Sequence, residues 1–147
     1  MRQMLAAGWL GVGLFMAGIG GVGAQSLKGG AAAPLEKTRW TLEWVDGVKV
    51  QGGSPRPAFL ELDPGTHRLR GSGGCNQLIG SYELEGNHLR LTGTARTMMA
   101  CRDGMDVEDR LVKALDEVRE WKVSGQELVL LDGKGDVLAR FETGRSD

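Results

Sequence analysis

One stretch with helical periodicity, set among segments that alternate apolar and polar residues, most constrains how this chain can fold. Between Asp106 and Glu120, apolar side chains recur every three or four residues, which predicts one amphipathic α-helix. Its apolar stripe consists of Val107, Leu111, Val112, Leu115 and Val118. Asp103 or Asp106 is expected to cap the free N–H groups at its start. A lone helix has no helical partner for such a stripe, so we expect it to pack on a sheet.

The remaining folded part of the chain has the period of two that is typical of β-strands. Turn residues separate the apolar segments, as at Asp46-Gly47 and Pro64-Gly65. The predicted strands are residues 38–44, 58–63, 67–71, 78–84, 88–91, 121–123, 128–131 and 137–141. Strands and helices do not alternate, which argues against a parallel sheet. The sequence therefore predicts an α+β, mostly β domain, in which a curved antiparallel sheet forms an open or cracked small barrel packed on one α-helix.

The first 24 residues have the pattern of a secretory signal peptide. Arg2 is followed by an apolar stretch, and Val22 and Ala24 occupy the small-residue positions of a cleavage site. The alternative is a membrane anchor, which the glycines and the single basic residue disfavour. We therefore expect cleavage after Ala24, no stable membrane anchor afterwards, and a periplasmic or secreted protein. The expected divisions are a signal peptide (1–24), a flexible leader (25–37), one domain (38–142) and a tail (143–147).

The two cysteines, Cys75 and Cys101, allow one intramolecular disulfide in an oxidising compartment. The alternative is a pair of separate buried thiols. Two functional alternatives also use them. Cys75 would be the nucleophile or redox thiol of an enzyme, although no histidine can be placed beside it; or Met98, Met99 and the cysteines would bind copper, since soft sulfur ligands suit Cu(I).

Several site classes find no support in the composition. The formal net charge is −1, with 18 Lys and Arg against 19 Asp and Glu, so nucleic acid is not an expected partner. The glycine-rich segment 71–76 lacks the ending of a phosphate-binding loop and leads into a strand, which favours a bend. No pattern indicates a catalytic site, a cofactor or a resident metal ion.

Large apolar side chains supply the expected core. The candidates are Trp40, Trp44, Leu111, Leu115, Val118 and Trp121, with an apolar cavity walled by indole rings as the alternative. Asn76 stands between a bend and an apolar strand. An amide there is expected to satisfy backbone groups of a tight turn rather than to contact a ligand.

Three short motifs, followed by the helix and the Leu128–Gly135 segment, resemble the META domain of HslJ-type bacterial proteins. The motifs are Gly74-Cys75-Asn76, Gly80-Ser81-Tyr82 and Thr97-Met98-Met99-Ala100-Cys101, and the opening Trp40-Thr41-Leu42 also matches. The resemblance implies a small antiparallel β domain with one packed helix, similar to the cracked barrels of secretion pilotins. It implies an envelope protein linked to heat or antibiotic stress, without established catalytic activity.

The same resemblance implies a structural role for the motif positions. These are Gly74, Cys75, Asn76, Gly80, Tyr82, Thr97, Met99, Ala100 and Cys101. The chain lacks the cysteine that becomes lipidated in related lipoproteins, so an outer-membrane lipid anchor is not expected. We therefore expect a non-enzymatic exported domain that supports the cell envelope by binding an envelope protein segment or a small apolar ligand.

Overall fold

The computed structural model describes residues 31–52 and 54–144. This part of the chain contains nine β-strands and one α-helix. The strands are β1 (Trp40–Val45), β2 (Val48–Lys49), β3 (Phe59–Asp63), β4 (Arg68–Ser72), β5 (Gln77–Glu85), β6 (His88–Arg96), β7 (Glu120–Ser124), β8 (Glu127–Leu131) and β9 (Val137–Glu142). The helix α1 (Met105–Glu117) lies between β6 and β7 in the chain. The expected signal peptide, residues 25–30 of the expected leader and residues 145–147 of the expected tail lie outside the described residues.

All strands join one antiparallel sheet that curves into a ring. Each strand from β3 to β8 pairs with the next in sequence, and β1 pairs with both β3 and β9. The registers Leu42–Phe141 and Val45–Ala139 close the ring. The short β2 adds to the end of β1 through the Asp46-Gly47 turn. The expectation of a mostly β fold with a curved antiparallel sheet and one helix is confirmed.

The ring is weakest between β6 and β7. These strands share a single register pair, His88 with Glu120. Two further backbone bonds reinforce the joint, from Leu89 N–H to the Arg119 carbonyl and from Trp121 N–H to the Asn87 carbonyl, both at 3.0 Å. The segment that contains α1 connects these two strands in the chain, and the helix packs against β6, β1 and β9.

The helix is shorter than its sequence pattern suggests and starts differently. It ends at Glu117, because Val118 already has an extended backbone and β7 begins at Glu120. The prediction that Asp103 or Asp106 caps the helix is also wrong. Gly104, with a φ of 90°, occupies the cap position, and no side chain caps the helix there. Asp106 instead forms an ion pair with Arg110 at 3.1 Å.

The apolar stripe of α1 joins the core inside the ring. Leu111, Leu115 and Val118 are fully buried, and they pack with inward-facing residues of the strands such as Leu78 and Phe141. Buried positions alternate with more exposed ones along β4 and most of β5, as the period of two requires. One core therefore unites the sheet and the helix.

The segment expected to be a flexible leader is packed on the ring from residue 33 onward. The Ala33 N–H donates to the Gly125 carbonyl at 2.8 Å, and Leu35 is buried. The Trp40 indole N–H donates to the Leu35 carbonyl at 2.9 Å, and the Lys37 N–H donates to the Leu62 carbonyl. The domain thus begins before residue 38, because an apolar Leu35 covers core residues. Residues 33–38 are called the strap below.

Candidate functional site

Motif residues from two distant segments meet at one end of the ring. The turn between β4 and β5 carries Gly74, Cys75 and Asn76, and the segment from β6 to α1 carries Thr97 to Cys101. A disulfide joins Cys75 to Cys101, with their Cα atoms 6.0 Å apart. The bridge, rather than two separate thiols, is the arrangement in the structure.

Asn76 fastens these two segments together. It is 1% exposed, and its side-chain oxygen accepts hydrogen bonds from Thr97 Oγ1 at 3.0 Å and Met99 N–H at 2.6 Å. Its side-chain nitrogen donates to the Met99 carbonyl at 3.2 Å and to Glu108 Oε2 at 2.7 Å. A buried amide with all of its capacity used leaves none for a ligand. Asn76, Thr97, Met99, Glu108 and Arg96 are called the Asn76 cluster.

Glu108 supplies the buried charge of the Asn76 cluster. It is fully buried on α1, and its Oε1 accepts a hydrogen bond from Asn76 N–H at 2.6 Å. Arg96 lies 3.3 Å from Glu108 Oε2 and pairs with Asp109 at 2.6 Å. The hydrogen bond that the Arg96 guanidinium donates to the Asp109 carboxylate raises the pKa of Arg96 above its usual value. The carboxylate thus ties α1 to the start of β5 and the end of β6.

Gly73 makes room for Glu108. A Cβ atom at this position would lie 2.2 Å from Glu108 Cγ and 2.6 Å from Oε1. Such distances are far below van der Waals contact, so a side chain at residue 73 would displace the carboxylate. The glycine-rich segment is therefore needed for a close approach of helix and turn rather than for phosphate binding.

The second motif, at Gly80 and Tyr82, lies in the middle of β5. Gly80 lies at an irregularity in the pairing with β6, and the Tyr82 ring is buried. The Tyr82 hydroxyl donates a hydrogen bond to Glu36 of the strap. Burial, together with this carboxylate, raises the pKa of the Tyr82 phenol. This motif therefore holds the strap against the ring.

The disulfide argues against both functional alternatives that use the cysteines, the Cys75 enzyme and the copper site. A bridged Cys75 has no thiolate and cannot act as a nucleophile in the oxidised chain. Met98 and Met99 are 87% and 50% exposed, and the cysteines that would complete a copper site are bonded to each other. In residues 31–52 and 54–144, no three His, Cys, Asp or Glu side chains form a possible metal site. Ala100 is exposed beside these methionines.

The large apolar candidates divide into core and partly exposed residues. Trp40, Leu111, Leu115 and Val118 are buried. Trp44 and Trp121 are partly exposed, and the Trp121 indole donates to the Gly86 carbonyl at 3.0 Å. The space among core residues beside Trp40 measures about 10 Å³, which is about the space that one water needs. This space beside the indole therefore has no room for an apolar ligand.

A much larger space lies on the outside of the ring. A groove of about 620 Å³ follows the outer faces of β3, β4 and β5 and the chain just before β1. Its charged lining residues are the cations Lys37, Arg39, Arg68 and Arg70 and the carboxylates Glu61 and Asp63. Ile79, 52% exposed, adds an apolar side chain. This groove is called the arginine groove.

Two carboxylates in the arginine groove are already engaged. Glu61 accepts from Arg39 at 2.6 Å and from Arg70 at 2.6–2.8 Å, using one oxygen for each. Partial burial raises the pKa of Glu61, but these two arginines outweigh it and hold the pKa below its usual value. Hydrogen bonds from the Gly65 N–H and the Thr66 hydroxyl lower the pKa of Asp63. Both carboxylates are therefore ionised at neutral pH.

Comparison with known proteins identifies the family. The sequence pattern of the META domain matches residues 33–145. The chain belongs to the META domain family. This assignment agrees with the resemblance seen in its motifs, and the match also includes the strap. The META family is not a known family of enzymes.

Solved structures share the META fold of this chain. An NMR structure of a protein from Burkholderia xenovorans is 28% identical, with a TM-score of 0.61, over 76% of this chain and 85% of that one. A second NMR structure is 23% identical, with a TM-score of 0.59, over 74% and 91%. A crystal structure of a DUF4847 family protein from Bacteroides vulgatus has a TM-score of 0.57 at 9% identity, over 77% and 96%. No curated protein matches the sequence.

Two functional features are not evident from the sequence. From its charge, Glu108 resembles a residue of the solvent-exposed helix face. However, it stands three residues before Leu111 and seven before Leu115, which places it on the apolar side of the helix. That spacing is the available signal. The arginine groove combines residues 37 to 79, and only the pairing of β3, β4 and β5 brings them together.

No helix in the described residues is long and apolar enough to cross a membrane.

Proposed function

We propose that this META domain is exported, acts in the cell envelope as a binding module rather than as an enzyme, and recognises a protein segment on its outer surface. The observation that carries the proposal is the contrast between two spaces within the described residues. The space beside Trp40 offers about 10 Å³, whereas the arginine groove offers about 620 Å³. Ligand sites in proteins are typically about 300–1,000 Å³. We therefore assign partner binding to the arginine groove on the outer surface of the ring.

The disulfide supports the proposed export. Cys75 and Cys101 are bridged, and such bridges persist mainly in oxidising compartments such as the periplasm. The pattern of residues 1–24 is that of a signal peptide. Both features favour an extracytoplasmic protein, and the envelope and stress roles that the family resemblance implied fit this location.

A complementation experiment tests this function. A strain that lacks the gene would receive either the full chain or a variant without residues 2–24, and survival would be measured under heat and under an envelope-active antibiotic. We expect only the full chain to restore survival and to accumulate outside the cytoplasm with Gln25 at its N-terminus. Equal restoration by the variant without residues 2–24 would refute an extracytoplasmic role.

A further inference from the structure

The charges of the arginine groove do not balance. Four cations line it against two carboxylates, and both carboxylates are occupied by partners of this chain. The Arg68 side chain has no hydrogen bond or ion pair within residues 31–52 and 54–144. Arg39 and Arg70 are 59% and 73% exposed, so guanidinium N–H groups not used by Glu61 face solvent. The groove therefore has free donors for an anionic partner.

The spacing of the arginines suits one kind of anion. Arg68 and Arg70 alternate with the buried Leu69, so both point to the outer face of β4. Residues two apart in a strand are separated by about 7 Å along the strand axis. An extended peptide has the same repeat, so acidic residues at alternate positions match these arginines. Each arginine would bind one carboxylate through charge-assisted hydrogen bonds.

An apolar side chain lies next to this pair. Ile79 of β5 is directly opposite Arg70 of β4 in the strand register, and more than half of it is exposed. Residues directly opposite on one face of a sheet are in side-chain contact. Ile79 therefore offers a contact for an apolar residue that flanks the two acidic positions of the peptide.

We propose that the arginine groove binds an extended acidic peptide segment, with two carboxylates at alternate positions on Arg68 and Arg70 and a flanking apolar side chain on Ile79. This inference rests on the proposed function and specifies its partner. Glu61 and Asp63 lie among the cations, so the groove presents separate positive positions rather than a continuous positive field. That arrangement favours a peptide with spaced carboxylates over the surface of an anionic membrane.

A titration with labelled peptides tests the inference on the purified, disulfide-bonded protein. The probe is a fluorescein-labelled peptide with two aspartates one residue apart and a leucine beside them. Two control peptides are matched to it. One carries asparagines in place of the two aspartates, and the other carries the two aspartates next to each other. The protein variants are Arg68→Gln and, as control, Arg90→Gln, which removes an exposed arginine of β6 that does not line the groove.

We expect the alternating aspartate peptide to bind best and more weakly as salt is raised. Arg68→Gln should weaken its binding about tenfold, the loss typical of one charge-assisted hydrogen bond. Arg90→Gln should bind like the wild type. The inference is overturned if the asparagine peptide binds equally, if no peptide binds, or if Arg68→Gln has no effect. Arg68-dependent binding to phosphatidylglycerol vesicles without peptide binding would assign the groove to a membrane instead.

The complementation strain separates this inference from the function on which it rests. If survival that depends on residues 2–24 is restored by Arg68→Gln as well as by the wild type, the proposed function stands and the groove is not its binding site. If the full chain restores no survival, the proposed function fails, whereas the peptide titration still reports whether the groove binds acidic segments.

Discussion

Two glutamates of this domain accept hydrogen bonds from arginines, yet their surroundings give them different roles. Glu108 is fully buried in the Asn76 cluster, and its oxygens are shared by Asn76 and Arg96. Glu61 lies in the arginine groove between arginines that are more than half exposed. Burial makes the first contact essential for the fold, since an unpaired charge or donor inside a protein is costly. Water can replace the second, which leaves its arginines available for binding.

The largest expected difference follows from removing each carboxylate. Glu108→Ala leaves the Asn76 backbone N–H and one of the two Nδ2 hydrogens without acceptors and should lower the free energy of unfolding by about 3–5 kcal/mol. Glu61→Ala is the matched control and should cost about 1 kcal/mol or less. Urea unfolding of the oxidised protein measures both. Similar losses for the two variants would contradict the assigned roles.

The disulfide should contribute nearly as much at the Asn76 cluster. Its cysteines are 26 residues apart, and a loop of that length removes about 3.5 kcal/mol of unfolded-state entropy in the chain-entropy model. The double variant Cys75→Ser/Cys101→Ser should lose about this amount in urea unfolding. Acidic-peptide binding by the folded double variant should be retained, since the arginine groove contains neither cysteine. Loss of binding at a concentration where the variant is folded would couple the two regions.

A single methyl group should distinguish the crowded region from an open one. Gly73→Ala places a carbon against the Glu108 side chain and should cost about 1–3 kcal/mol. Gly52→Ala meets no atom within 4 Å and should change stability by about 0.5 kcal/mol or less. Thermal unfolding of the two variants provides the comparison. An unaffected Gly73→Ala protein would show that the helix and the turn can move apart freely.

The smallest effect concerns pH and the arginine groove. The pKa of Glu61 is lower in the folded protein than in the unfolded chain. Its ion pairs therefore stabilise the protein fully above about pH 4, the ordinary titration range of a carboxyl group. This stabilisation is lost as the pH falls through the lowered pKa of the folded state. The exposure of its partners limits the effect to about 1 kcal/mol or less. Urea unfolding of wild type and Glu61→Gln at pH 7 and pH 3 measures it. The difference between them should shrink at pH 3, and a growing difference would contradict a lowered pKa for Glu61.

The strands could be predicted from sequence because their alternation has a direct physical cause. Inward and outward positions of β5 differ by one residue, so the Leu78, Gly80, Tyr82 series marks its buried face. Longer-range effects set the ends. The alternating pattern of β6 stops at residue 91, whereas pairing with β5 extends the strand to Arg96. Pairing with β8 likewise draws Glu120 into β7 and ends the helix early.

The candidate site was less predictable for the same reason. Asn76 and Glu108 are 32 residues apart, and only the folded ring brings them within 2.6 Å. Asn76 and the cysteines stand in recognisable motifs, but a glutamate in a charge-rich helix gives no comparable sign. The arginine groove depends on strand register, which a single sequence specifies only after the pairing of the strands is known.

The closure of the ring by its first and last long strands has a consequence for biosynthesis. Until residues 137–142 are available, β1 has an open backbone edge on the side where β9 later pairs. An open edge can recruit another unfinished chain, so a nascent copy is vulnerable until synthesis is almost complete. Delivery through a translocation channel in extended form would delay that vulnerability and confine it to the destination compartment.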